Sequence, residues 1–324
     1  MEKPFVSIVI PAFNSASTLS PTIKACMDQD YPKDKFEVVV IDDGSDDNTK
    51  DAAAGFNVRY IYQKKSGPAS ARNNGWRNSK GDAICFTDAD CIPESDWVSK
   101  LVRHYNSDNT GAVAGSYSVH GSPYLLDKFV HYEIQDRHSR MPEYISSFGT
   151  YNVMIKRAVL EVTSGFNPEY YKASGEDTDL SYKIIRAGYR IYFAKDAMVN
   201  HKNILRVWKY FLVQFRHGYW RMKLYKKNAS MISRDEYGYW RDFLELSLGA
   251  ASLLFLAIGF KNSLIFSSIS ACIIFLIQLP LAIKVAFYER NIFYITFSFV
   301  TFFRVFVRVA GGVFGFIRFW IFII

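Results

Sequence analysis

The sequence predicts an α/β domain built on a mostly parallel sheet, followed by an amphipathic stretch and then apolar helices. Three observations lead there. Four short apolar runs before Pro93 alternate with stretches of helical spacing, the pattern of βαβ units. Each run ends in polar or acidic residues, as strands do at the carboxyl edge of an open sheet that binds ligands. Beyond residue 241 the composition shifts to long apolar segments rich in phenylalanine.

Val6-Ser7-Ile8-Val9-Ile10, bounded by Pro11 and Asn14, reads as a buried first strand. It is too short for the apolar core of a signal peptide. Leu19 to Met27 has helical spacing, with Ser17 or Thr18 as N-cap. Phe36 to Ile41 is the second strand and ends in Asp42-Asp43-Gly44-Ser45; Asp46 to Ala54 follows as a helix. Val58 to Tyr62 is the third strand, after which Ser66-Gly67-Pro68 opens a helix from Ala69 to Asn78. The fourth run, Ala83 to Phe86, breaks into Thr87-Asp88-Ala89-Asp90 and stops at Pro93.

Asp88 and Asp90 lie two apart and would share a face of a regular strand. Two hard oxygen donors at a sheet edge suit Mg²⁺ or Mn²⁺ with a diphosphate as co-ligand. The plainer alternatives are an acidic turn capping a helix at Glu94-Ser95-Asp96 and ordinary turn chemistry at Asp42-Asp43-Gly44-Ser45. Four polar strand ends together favour a nucleotide cleft. The sequence has no Gly-x-Gly-x-x-Gly after its first strand and no Gly-x-x-x-x-Gly-Lys-Ser/Thr, which argues against a dinucleotide dehydrogenase and a P-loop.

A formal charge of +8 fits either nucleic acid or an anionic membrane surface. No zinc-ligand pattern or RNA-binding aromatic pattern accompanies it, so the membrane is favoured and nucleic acid is not expected. Cys26, Cys85, Cys91 and Cys272 have no metal-like spacing and read as reduced, packed residues.

Taken together, the runs Val6 to Asn14, Val40 to Thr49, Gly67 to Gly75 and Phe86-Thr87-Asp88-Ala89-Asp90 resemble the family 2 glycosyltransferases with the GT-A nucleotide-sugar fold. The resemblance spans the first third of the chain. It implies that Pro11, with Ala12 and Asn14 beside it, and Asp43 bind the donor nucleotide. Arg72 would meet the base or the phosphates, Asp88 the ribose or the metal, and Asp90 the divalent cation. Uridine is the commonest base in such enzymes.

Further along, Gly149 in Ser147 to Ile155 allows a close backbone approach, either to a ligand or at a strand bulge. In the family such a segment lies beside the sugar. Gly175-Glu176-Asp177-Thr178-Asp179 precedes a helix ended by Gly188, so three carboxylates crowd its first turn. Helix capping is one reading. The other is a general base that deprotonates an acceptor hydroxyl attacking the anomeric carbon. The stretch resembles the Glu-Asp motif of inverting members, which points to Asp177 and then Glu176. By the same resemblance His201 would join the metal or diphosphate.

Val207 to Lys227 interleaves aromatic and basic residues and reads as a helix on an anionic membrane surface. Gln214, Arg216 and Trp220 are candidate substrate contacts that are similar to the Gln-x-x-Arg-Trp motif of processive synthases. The spacing departs from it, which argues against a processive enzyme. Phe243 to Phe260 and Ser263 to Phe287 read as a membrane hairpin joined at Lys261-Asn262. Ile292 to Ile324 is a third segment that Gly311-Gly312 splits and Arg304, Arg308 and Arg318 interrupt; those arginines face protein, a lipid phosphate or the interface. Arg241 and Lys284 to Arg290 put the catalytic domain on the cytoplasmic side.

The expectation is a catalytic domain over 1–202, an interfacial connector over 203–241 and a membrane region of two to three helices over 242–324. This multi-pass cell-membrane enzyme would move a sugar from a nucleotide-sugar donor, read as a UDP-sugar, to a hydroxyl of a lipid-linked acceptor, with inversion and with Mn²⁺ or Mg²⁺. A polyprenyl-phosphate acceptor is the alternative, and a homo-oligomer is possible. A phosphate is already ionised and needs no base, so Glu176-Asp177 favours a sugar hydroxyl.

Overall fold

The computed structural model describes residues 3–107, 109–118, 124–170, 175–201, 206–228 and 240–322. Two units divide the chain: one comprises residues 1–120 and 135–203, the other 121–134 and 204–324.

The first unit is a sheet with helices on both faces. Its strands are β1 (Val6–Ala12), β2 (Phe36–Asp42), β3 (Arg59–Tyr62), β4 (Ala83–Phe86), β5 (Cys91–Pro93), β6 (Thr110–Tyr117), β7 (Tyr144–Ile145), β8 (Val153–Lys156) and β9 (Arg190–His201). They lie in the order β3-β2-β1-β4-β8-β6-β9-β5, with β7 on β9. The half from β3 to β4 is parallel, whereas β8 runs antiparallel to both β4 and β6.

Alternation along the central strands sorts the core into two layers. Ile8 and Ile10 of β1, Val38 and Val40 of β2 and Cys85 of β4 face one side, with Leu19 and Ile23 of α1 (Leu19–Met27) and Trp97 and Leu101 of α4 (Trp97–Val102). Val9, Val39, Ile41, Ile84 and Phe86 face the other, with Trp76 of α3 (Pro68–Arg77), Leu160 of α6 (Arg157–Thr163) and Leu180 and Ile184 of α7 (Glu176–Arg186). Burial on both faces is why these strands read as continuous apolar runs. The predicted second helix is shorter than its sequence suggests, α2 (Thr49–Ala54), because Asp47 is drawn into a turn by Thr49.

The second unit is helical: α8 (Val207–Lys227), α9 (Trp240–Ile258), α10 (Lys261–Tyr288) and α11 (Phe297–Phe316), with residues up to Ile134 of α5 (Leu125–Ser139). Its inside is more polar than its outside. Ser252, Ser267, Gln278, Thr301 and Arg304 are buried, while Leu254, Phe266, Leu276, Phe299 and Phe314 are exposed. Arg304 Nη1 reaches both Glu133 carboxylate oxygens at 2.6 Å and the Tyr210 hydroxyl at 3.1 Å. Of the three alternatives for Arg304, the structure therefore shows the one facing protein.

Three expectations change. Gly311-Gly312 does not split the last segment: α11 runs through it, and Gly311 is where α8 approaches. A Cβ there would lie 2.1 Å from the Phe215 carbonyl oxygen; at Gly315 it would lie 2.3 Å from that of Tyr219, and at Gly218 of α8 2.2 Å from that of Arg308. The turn before α10 falls at Gly259-Phe260, since Lys261 already begins the helix. Cys272 is exposed on α10, whereas the other three cysteines are buried. Lys261–Tyr288 and Ile292–Ile321 are long and apolar enough to cross a membrane. The helix before them begins at Trp240 and so takes in Arg241, Asp242 and Glu245. Arg241 donates to Glu245 at 2.8 Å.

Candidate active site

The carboxyl ends of the parallel strands are bound to one another. Asn14, just past β1, has φ of 49°. Its N–H donates to Ser45 Oγ at 2.9 Å and its side-chain oxygen accepts from the Asp46 N–H at 3.0 Å. Ala12 sits opposite Asp42 in register, and Pro11 opposite Ile41. The Asp42 carboxylate accepts from the Ser45 N–H and the Tyr60 hydroxyl. Asp43 is buried and accepts from the Ser66 and Gly67 N–H groups, each at 2.8 Å, and from the Gln63 amide at 2.7 Å. It shapes the loop that enters α3.

From α3, Arg72 reaches across the end of β4. Nη2 lies 2.9 Å from Asp88 Oδ1 and Nη1 lies 2.9 Å from Glu176 Oε1 at the start of α7. Burial works against the guanidinium's charge, but Asp88 and Glu176 outweigh it and raise its pKa. Next to it Asn73 donates to the Phe166 carbonyl at 2.7 Å and accepts from the Phe166 N–H at 3.0 Å. Asn73 stands inside a recognised motif, yet nothing in the sequence tells that its amide pairs with Phe166.

Asp90 pairs with a different residue. Its Oδ1 is 3.1 Å from His201 Nε2. The contact follows from strand pairing: β5 runs antiparallel to β9 with Cys91 opposite His201. Ligand atoms of Asp90, Cys91 and His201 lie within 4.8 Å of one another. Burial and the charges of Asp88 and Asp90 push the Cys91 thiol well up, and its soft sulfur is not a donor that Mn²⁺ or Mg²⁺ favours. Burial opposes ionisation of Asp90, but its hydrogen bond to His201 outweighs this and holds its pKa down. A carboxylate oxygen and an imidazole nitrogen remain, a donor pair that fits Mn²⁺ with further oxygen ligands better than it fits Mg²⁺, which takes oxygen donors. Asp88 is outside this cluster and engaged by Arg72.

Asp177 is half-buried on the first turn of α7. Burial and the neighbouring Glu176 carboxylate push it up to about 7, against the Thr178 N–H that donates to it at 2.7 Å. Gly149 is kept free of a side chain by Tyr151, whose ring a Cβ would meet at 2.3 Å. The Tyr151 ring stacks on Tyr117 with centroids 3.9 Å apart, and Tyr117 lies 5.9 Å from His201. Neither tyrosine stood out in the sequence. Asn152 was also missed: it is buried, accepts from the Trp97 indole and donates to the Ser116 and Ala197 carbonyls, so it braces β6 and β9 beside the bulge that precedes His201.

Gln214, Arg216 and Trp220 belong to the second unit. Gln214 is buried and accepts from Arg308 Nε at 2.7 Å; Arg216 is exposed and Trp220 half-buried.

Residues 7–162 match the model of glycosyl transferase family 2. The glycosyltransferase AglE of Haloferax volcanii is 31% identical over 209 residues, which cover 61% of this chain and 67% of that protein. The chain belongs to glycosyl transferase family 2. The probable glycosyltransferase YdaM of Bacillus subtilis is 34% identical to it over 210 residues, 59% of this chain and 49% of YdaM. The family 2 chain thus spans about half of one of these relatives and about two thirds of the other. The mannosyltransferase PcManGT of Pyrobaculum calidifontis, solved with GDP-Man and Mn²⁺, shares the fold with a TM-score of 0.63 at 19% identity, over 97% of this chain and 88% of that one. The chain therefore has the GT-A fold of that family.

Proposed function

We propose that this glycosyltransferase moves a sugar, with inversion, from a nucleoside-diphosphate donor to a hydroxyl of a lipid-linked saccharide at the cytoplasmic face of a membrane. The observation that carries the reading is Asp177. It is a carboxylate with a raised pKa on the first turn of α7, beside Glu176, which Arg72 links to the strand end bearing Asp88. A sugar hydroxyl is a weak nucleophile at neutral pH, and a general base tuned toward pH 7 is what its attack requires. The hydroxyl oxygen bonds to the anomeric carbon, the bond to the donor's phosphate oxygen breaks, and Asp177 takes the hydroxyl proton. Attack opposite the leaving diphosphate inverts the anomeric centre.

Asp90 and His201 would hold Mn²⁺ or Mg²⁺, which when bound offsets negative charge on the diphosphate. Pro11, Ala12, Asn14 and Asp43 line the strand ends assigned to the nucleotide, and Asp88 is assigned to the ribose or the metal. UDP-sugars remain the first donors to test; GDP-mannose joins them because a protein of the same fold was solved with it. Residues 1–202 form the proposed catalytic domain and 203–241 the connector, with Gln214, Arg216 and Trp220 as proposed acceptor-side contacts. The inside-out polarity of the helical unit supports the membrane assignment for 242–324.

The test is a panel of UDP-glucose, UDP-N-acetylglucosamine and GDP-mannose, each with and without MnCl₂, read by thermal unfolding. A donor at a hundredfold its Kd adds about 2.7 kcal/mol to the folded state. One panel member is expected to raise the midpoint only with metal, and Asp90→Ala to abolish that rise. Extracted membrane lipids are then added as acceptor. Tight donor binding in chelator, unchanged by Asp90→Ala, sinks the metal assignment. Transfer that survives Asp177→Ala favours a phosphate acceptor instead.

A further inference from the structure

Glu176 and Asp177 are adjacent, and either carboxylate has the chemistry to take a proton. Their surroundings separate them. The Glu176 side chain is 4% exposed and bound to Arg72, whose own side chain is 4% exposed. Arg72 is held on further sides: its guanidinium lies 5.7 Å over the Phe166 ring, and Phe166 meets Phe86 of β4 edge-on at 5.2 Å. Asn73 fixes both backbone groups of Phe166. A planar guanidinium with a carboxylate at each end of its fork cannot turn to a third partner without leaving a buried charge unpaired.

We infer that Arg72 and Glu176 are positioning residues that lock the first turn of α7, and with it Asp177, to Asp88 at the donor-binding strand end. The inference rests on the reading of Asp177 as the base. The lock joins two segments 104 residues apart. Arg72 spans from the strand that presents the donor's ligands to the helix that presents the base. The separation between donor carbon and base is then set by one rigid side chain rather than by a loop. Misplacement of a reacting group by about 1 Å costs on the order of a hundredfold in rate, so such a lock is worth having. Glu176, on this account, anchors the fork and leaves proton transfer to its neighbour.

The experiment uses the full chain in detergent, with the panel nucleotide sugar that raises the midpoint most, MnCl₂ and extracted lipids. Glu176→Gln keeps an oxygen for Arg72 but loses the charge. Its donor Kd is expected to stay within about threefold, while transfer at saturating donor falls about tenfold or more. Arg72→Lys cannot fork, so donor binding and transfer both weaken. Their combination is expected to be no slower than Arg72→Lys alone, because groups acting as one unit are not additive. A merely structural pair gives a different result: transfer returns to the wild-type rate when each variant is assayed equally far below its own midpoint. That outcome, or multiplied losses in the double variant, overturns the lock. Asp177→Ala is the control. If it still transfers to lipid, the base reading fails; if it is dead while Glu176→Gln is fully active, the base stands and only the lock falls.

Discussion

Arg72 and Arg304 are each 3% exposed, one in the α/β unit and one in the helical unit, and they are neutralised in opposite ways. Arg304 takes one carboxylate, Glu133, and a tyrosine hydroxyl. Arg72 takes two carboxylates from two different elements, with Asp177 half-buried beside one of them. Desolvating an ion is expensive, so a balanced buried pair is a scaffold's solution. An excess of carboxylates around a single arginine raises a neighbour's pKa and belongs to a site. Charge balance, more than burial, separates the two.

The largest expected effect tests the site half of that contrast. Asp177→Ala is expected to cut transfer about 10²- to 10⁴-fold with donor binding kept, by the usual worth of a general base; initial rates beside donor titrations check it. If Arg304 is instead scaffold, Arg304→Met should destabilise by about 3–5 kcal/mol, and adding Glu133→Gln should recover much of that. Denaturant unfolding in detergent measures both, and a neutral single variant would break the comparison.

A smaller effect is expected at the helix contact. Gly311→Leu should cost about 1–3 kcal/mol through overpacking, whereas Gly312→Ala, with nothing within 4 Å of its Cβ, should be nearly silent. The mildest readout is pH. The proposed base would work deprotonated, so transfer should climb with pH, reach half its plateau near the value of about 7 to which the Asp177 carboxylate is raised, and level off above. The stability linkage has the opposite sense. Because the folded pKa exceeds the unfolded one, this group's stabilising contribution is full at low pH and is lost as pH rises through about 7. A rate flat between pH 5.5 and 8 would remove Asp177 from the proton transfer.

Local chemistry made the parallel half of the sheet legible. β1, β2 and β4 are continuous apolar runs because both faces are covered, and Asp43 and Asp90 announce themselves at strand ends. Partnerships were less visible. Nothing near Arg72 says that it reaches Glu176, and His201 meets Asp90 only because β5 folds back on β9 in one register. The glycines of α11 looked like a break because, in sequence, a helix-weakening pair and a close-packing pair are the same letters. Only the carbonyls of α8 across from them distinguish the two.

Those carbonyls have a consequence for how the α8–α11 pair can change. Where main chain meets main chain, no rotamer can be traded to absorb a substitution. Any residue with a Cβ at Gly218, Gly311 or Gly315 would have to spread the helices apart or be refused outright. The contact has no graded settings. It behaves like a keyed joint, tolerant of what happens on its outer faces and closed to adjustment along its seam.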